Sequence, residues 1–299
     1  MIKSCYSTSY YVETKSNSMA KLKAVAEALK DQQLSELINP AVMDIDLLYQ
    51  LHDPHLVESF LVGRKPLASL QGFQWSTALR DAVLAIHAGQ LCAASIALQD
   101  GISSNIAQGF HHAGYEYGSG FCTFNGLALI AQQHPDKKIF VLDCDQHGGN
   151  GTAEFTQRLP NLFNYTIFGL RFGCRDFDHS IGVMIPRNTL SFEPYRDALL
   201  GGFDRILDWQ TDLIIYQAGI DCHQDDPCGG SQWCNDQTLI QRDQMVFEFA
   251  KKHQIPIMFV LAGGYQQLDR LVELHLNTYR VCHEIFFAQP QVKPMVMSL

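Results

Sequence analysis

Long apolar runs, basic stretches and paired cysteines are all missing from this 299-residue chain. No apolar run approaches the ~20 residues that a bilayer-spanning helix needs. The opening MIKSCYSTSYYVETKS is also too polar for the apolar centre of a signal peptide. Charge is sparse at 18%, and acids outnumber Lys plus Arg by 31 to 22. Nucleic-acid binders carry a basic patch or stripe; none stands out, so nucleic acid is not an expected partner. The acidic balance favours a cationic substrate only weakly, because it is also an ordinary route to solubility. Nine cysteines, an odd number, lie scattered without a CxxC pair. We read them as reduced thiols of a cytoplasmic protein, and the spacing of Cys228 and Cys234 matches no usual zinc pattern. With no repeat, linker or low-complexity tract, residues 1–299 read as one domain with ample length for a large core.

What the chain does have is alternation. Residues 104–109, 138–143, 162–168, 212–219 and 255–264 read as strands. Residues 19–32, 76–98, 121–134, 238–253 and 267–287 carry helical periodicity. Strands alternating with helices imply an α/β domain whose central, mainly parallel sheet is flanked by helices. Four of the strands run into chemically loaded loops. FHHAG follows the first, DCDQH the second, IDCHQDDPCGG the fourth and Tyr265 the fifth. The carboxyl edge of such a sheet is where ligands bind, so the active site is expected there.

The stretch VLDCDQHGGNGT (141–152) poses the sharpest question, because buried charge beside a core must be compensated. In an extended chain alternate residues share a side, so Asp143, Asp145 and His147 can aim at one region. A carboxylate, an imidazole and one further acid from the 221–226 loop would suit a divalent transition metal with an open position. The same residues could instead form a hydrogen-bonded cluster that closes the strand end. His111 and His112 could mark a turn, and Tyr265 a packed aromatic. His87, His134, His253, His275 and His283 fall in or at the ends of helical segments and are read as structural.

Taken together and in order, these motifs resemble the zinc-dependent histone deacetylases and their bacterial relatives, with their arginase-like α/β fold. GFHHAGYEYGSGFCTFNGLALIA is similar to the family's histidine-pair segment, VLDCDQHGGNGT to its metal segment, QAGIDCHQDDPCGG to its second acidic loop and LAGGYQ to its tyrosine motif. LHDPHLVESFL resembles its early histidine-containing helix. The compact length, Gly-Gly before Tyr265 and GNGT are closest in pattern to the class IV type and bacterial deacetylase-like amidohydrolases.

The resemblance implies Zn(2+) held by Asp145, His147 and Asp226, with Asp221 the earlier acid of its loop. It implies His112 as general base, His111 as its electrostatic partner oriented by Asp143, and Tyr265 as donor to the substrate carbonyl. Gly120 and Phe121 would wall the channel. K(+) would sit against backbone groups of Asp143, Asp145 and His147, with Thr166. Two departures stand out. Gly148 replaces a second histidine that is not a ligand, and Asn150 replaces an acid, which should lower the pKa of His112.

The reaction implied is removal of an acetyl or longer fatty acyl group from an N-ε-acyl-lysine of a protein or peptide. Relatives of the class IV type prefer long acyl chains, and pocket depth decides whether that extends here. Three rivals share the residues: a hydrolase of small acylated amines such as acetylpolyamines, a two-metal manganese hydrolase of the arginase type, and a non-catalytic acyl-lysine-binding or scaffold protein. Oligomeric state is not legible.

Overall fold

The computed structural model describes residues 1–14 and 17–288. Eight strands form one sheet: β1 (Ile2–Cys5), β2 (Ser35–Ile38), β3 (Ile102–Asn105), β4 (Ile139–Asp143), β5 (Leu162–Phe168), β6 (Ser180–Met184), β7 (Leu213–Ala218) and β8 (Ile257–Leu261). Their spatial order is β2-β1-β3-β8-β7-β4-β5-β6, and every neighbouring pair is parallel. The central strands are buried along their whole length, as in IFVLD of β4 and LIIYQA of β7. That is why they read as continuous apolar runs and not as alternation.

Strands β3, β8, β7 and β4 are contiguous in the sheet. These are the four strands whose loops drew attention in the sequence, so their carboxyl ends open side by side. β1, β2 and β6 were not expected. In β1 and β2 the reason is polar: Ser104 Oγ donates to Ser4 Oγ at 2.6 Å, and Ser35 Oγ bonds Ser4 in turn. Serines that satisfy one another across buried strands look like loop residues in a hydropathy reading.

Nine helices are described: α1 (Asn17–Asp31), α2 (Asp46–Leu51), α3 (Pro54–Val62), α4 (Thr77–Asp100), α5 (Gly126–Gln133), α6 (Asn150–Phe155), α7 (Glu193–Asp208), α8 (Asp236–His253) and α9 (Leu268–Phe287). The expected early histidine helix is two helices, broken where His52 ends α2 and Asp53 caps α3 by accepting from the amides of His55 and Leu56. The helix expected over 121–134 starts only at Gly126, because Asn125 Oδ1 accepts from Ala128 N–H and caps it there. Residues 121–125 are thereby released to the site. α4 is long and apolar enough, by length and composition, to cross a bilayer, although no apolar run that long stood out in the sequence. Over half of its most apolar window is buried inside the molecule, against β1, β3, β7 and β8.

Candidate active site and metal centre

The loop after β4 is where the chain concentrates charge. β4 ends at Asp143, so Asp145 and His147 converge for a different reason than strand alternation. Asp145 Oδ1 accepts from its neighbour's backbone, His147 N–H, at 3.0 Å, which folds the loop back on itself. His147 Nδ1 then lies 3.3 Å from Asp145 Oδ1 and 3.0 Å from Asp221 Oδ2. Asp145, His147 and Asp221 each offer a ligand atom within 4.8 Å of the others, the one such cluster among the described residues.

Asp226, the ligand implied by the resemblance, is not in that cluster. Its Oδ2 accepts from Tyr265 N–H (2.8 Å) and its Oδ1 from the amides of Cys228 and Gly229 (2.9 and 3.1 Å). It therefore ties the acidic loop to the tyrosine loop. His223 turns away as well, bonding Asp236 at 2.9 Å and accepting from the amide of Asp225.

The donor set suits a divalent cation. Asp145 and Asp221 are buried, and burial followed by the Asp145 charge pushes the Asp221 carboxyl up to about 7. Two carboxylates this close ionise together only with a cation between or beside them. Gly263 permits the convergence: a Cβ there would fall 2.2 Å from Asp221 Oδ2 and 2.7 Å from Asp145 Oδ2.

Asp143 does not face the cluster. Its Oδ2 meets His111 Nδ1 at 2.7 Å, while its Oδ1 accepts from Asp145 N–H and from Gln217 Nε2 of β7. Burial works to lower the pKa of His111, but Asp143 and Asp145 overcome it and hold the imidazole protonated to higher pH than usual. His112 moves the opposite way: burial, then the charge of His111, pull it well below the ordinary histidine value. Its Nδ1 pairs with Asn150 Oδ1 at 2.7 Å. The two ring centroids lie 3.9 Å apart, so the pKa values of adjacent residues are pushed in opposite directions. Tyr265 stays protonated, its pKa raised well above normal by burial and then by Asp145 and Asp221.

Gly120 (φ 50°) and Phe121 (φ 65°) place the Phe121 ring 6.0 Å from that of Tyr265. The sequence reading missed a further aromatic beside the histidine pair. Phe172, also left-handed at φ 46°, lies 4.0 Å from the His112 ring. It belongs to no periodic segment, so nothing in the sequence pattern marks it. Phe110 (φ 62°) and Phe121, two bulky residues at positive φ that line one cavity, mark a constrained, preorganised site.

A cavity of about 30 Å³ lies among these groups, and its lining includes Lys21, Gln108, Phe110, Phe121, Asp145 and Tyr265. Lys21 was also missed, since nothing in the helical segment 19–32 sets it apart from Lys23 or Lys30. Its side chain is buried and its ammonium donates to the carbonyl of Ala262. Burial lowers its pKa to about 8, against the upward pull of Asp221, Asp145 and Asp226.

The Histone deacetylase domain family matches residues 15–279 of the chain. An uncharacterised protein of Picosynechococcus sp. is 28% identical over 85% of this chain and 87% of its own. Acetylpolyamine amidohydrolase of Mycoplana ramosa is 25% identical over 64% of this chain, which spans 58% of that enzyme. Among solved structures, acetylpolyamine aminohydrolase from Burkholderia pseudomallei superposes with a TM-score of 0.80 over 95% of this chain and 99% of its own. Its 16% identity makes that a statement about the fold.

Proposed function

The chain belongs to the histone deacetylase domain family, and from that premise we propose that it hydrolyses the amide of an N-ε-acyl-lysine in a protein or peptide. The observation that carries this reading is the close packing of His111, bonded to Asp143, against His112, bonded to Asn150, beside a metal-capable acid cluster. Asp145 and His147 would hold the metal, usually zinc in this family, with Asp221 or Asp226 as the third ligand. When bound, such an ion polarises a carbonyl and lowers the pKa of water toward ~7.

His112, neutral at working pH, takes a proton from the attacking water and returns it to the departing amine. His111, kept protonated by Asp143, supplies fixed positive charge next to that transfer. Tyr265 donates a hydrogen bond from its hydroxyl to the oxyanion of the tetrahedral intermediate and keeps its proton. Phe121 and Phe172 hold the aliphatic stem between them and exclude water. Backbone groups of Asp143, Asp145 and His147, with Thr166, are the proposed K(+) position. The catalytic domain proposed spans residues 1–299, in the cytoplasm.

Cavity size supports acetyl and short acyl groups over fatty ones. About 30 Å³ admits roughly one or two water-sized groups, and Lys21, Gln108 and Phe110 line it alongside the catalytic groups. A second reading, hydrolysis of small acylated amines, is supported by the acetylpolyamine amidohydrolase relative. Steady-state turnover on acetyl- to myristoyl-lysine peptides and on N-acetylpolyamines tests both. The expected result is turnover of acetyl-lysine that falls with chain length. Turnover confined to acetylpolyamines would replace the first reading with the second, and a chain inert to both would remove the enzymatic account.

A further inference from the structure

Asn150 presents a problem that an aspartate would not. A carboxylate accepts from His112 Nδ1 whichever way it turns, but an amide flipped by 180° offers its NH₂ instead. His112 would then have to carry its proton on Nε2, the nitrogen needed to accept one. Something must hold the amide in the useful orientation.

The structure supplies a directional chain. Asn150 Nδ2 donates to the hydroxyl oxygen of Tyr117 at 3.4 Å, and Tyr117 donates its own proton to Glu154 Oε2 at 3.1 Å. Glu154 Oε1 is itself fixed by the backbone N–H of Tyr115 at 3.2 Å. Because the carboxylate only accepts, the phenol proton points toward Glu154 and the phenol oxygen is left as an acceptor. A flipped Asn150 would set its carbonyl oxygen against that oxygen. The polarity of the chain therefore runs from Glu154 through Tyr117 to Asn150, and sets Oδ1 against His112.

Local structure assembles the chain from two elements. Asn150 and Glu154 are i and i+4 on α6, hence neighbours on one helix face. Tyr117 reaches across from the loop that carries His112. Its ring lies on Gly114, where a Cβ would come within 2.4 Å of ring carbons, and its carbonyl accepts from Gly114 N–H. Burial, then Glu154, push the Tyr117 hydroxyl up to about 12, so it keeps the proton that the chain requires.

We infer that Tyr117 and Glu154 are positioning residues that fix the Asn150 amide, and through it the Nδ1–H tautomer of His112. This rests on the proposed role of His112 as base. The test is a double-mutant cycle on acetyl-lysine peptide turnover. Tyr117→Phe, which retains the ring on Gly114, and Glu154→Gln should each lower kcat on the order of tenfold, with KM and metal content unchanged. In an Asn150→Asp background, Tyr117→Phe should change kcat less than about twofold, because the carboxylate needs no orientation.

Equal losses in both backgrounds would make Tyr117 merely structural and overturn the inference, as would no loss in the parent. If Asn150→Asp alone is inactive, the imidazole ¹⁵N shifts of His112 decide. They should report a single Nδ1–H tautomer in the parent and a mixture in Tyr117→Phe; an unchanged tautomer overturns the inference. A His112→Ala chain that keeps full turnover sinks the functional reading itself, whereas an inactive His112→Ala beside a silent Tyr117→Phe sinks only the positioning chain.

Discussion

Histidine does different work at different places in this molecule, and burial alone does not decide which. His111 and His112 are adjacent and both buried, yet carboxylate neighbours raise one against its burial, while burial and then the first ring's charge lower the other. The histidine pair and Tyr265 stood out because each follows a strand within a motif and Asp143 because it ends one, whereas Phe121 was named only through the family resemblance. Phe172 and Lys21 were not, since their roles come from contacts across the sequence. Asp221 and Asp226 were legible as a pair, but only the fold shows which one reaches His147. Replacing Tyr265 by Phe should lower kcat by about 10²–10³ with little change in KM, as expected for loss of an oxyanion donor. Steady-state kinetics on an acetyl-lysine peptide checks this, and an unchanged kcat would leave the hydroxyl without a role.

His52 illustrates a structural histidine. Its Nδ1 donates to the carbonyl of Gly114 and its Nε2 accepts from Asn125 N–H, tying together two points of the loop that follows His111 and His112. Burial, then neighbouring His87, lower its pKa from 6.5 to about 3. Between those values the unfolded chain binds a proton that the folded chain refuses. Stability contributed by the neutral ring is thus complete above pH 6.5 and is lost as pH falls toward about 3. The slope from one such site is at most about 1.4 kcal/mol per pH unit. His52→Gln can make both hydrogen bonds without titrating, so urea unfolding from pH 7 to 4 should show a shallower pH dependence than the parent; equal slopes would count against this.

At the scale of elements, β4, β5, β7 and β8 could be read as apolar runs because a parallel sheet buries them on both faces, whereas β3 (ISSN) starts and ends earlier than the expected 104–109, its serines masking it. β1 and β2 escaped because their serines bond one another inside the molecule. Helix starts shifted wherever a cap overrode periodicity, as at Asn125. The loops after β4, β7 and β8 depend on one another: Gly263 N–H donates to Asp145 Oδ2, and Asp221 Oδ1 accepts from Gln146 N–H. Gly263→Ala should therefore force the two carboxylates apart. The expected outcome is metal affinity weakened at least about tenfold, with ~1–3 kcal/mol lost in folding stability. Calorimetric zinc titration beside thermal unfolding checks both, and unaltered affinity would show that the loop can yield.

For the whole molecule, sequence supplied four loaded loops but not the order β2-β1-β3-β8-β7-β4-β5-β6 that sets them side by side. Long-range pairing carries no local signal, so a single site was inferred from the four loops sharing one sheet edge and from the resemblance, not from strand order. The mutual repulsion of buried Asp145 and Asp221 makes the centre a place where ion binding and folding are linked. Chelation should accordingly lower the Tm by several degrees, by about 3 kcal/mol of lost stabilisation where free zinc had stood at 100 times its Kd, and zinc should restore it. A Tm indifferent to chelator would argue against that linkage.

The most direct test of the central claim is the metal content of the purified chain, measured by elemental analysis alongside acetyl-lysine turnover in the parent, Asp145→Asn, Asp221→Asn and Asp226→Asn. The account predicts about one divalent ion per parent chain, and loss of both ion and activity in Asp145→Asn. Whichever of the other two loses the ion identifies the third ligand. A metal-free parent with full turnover would contradict the account.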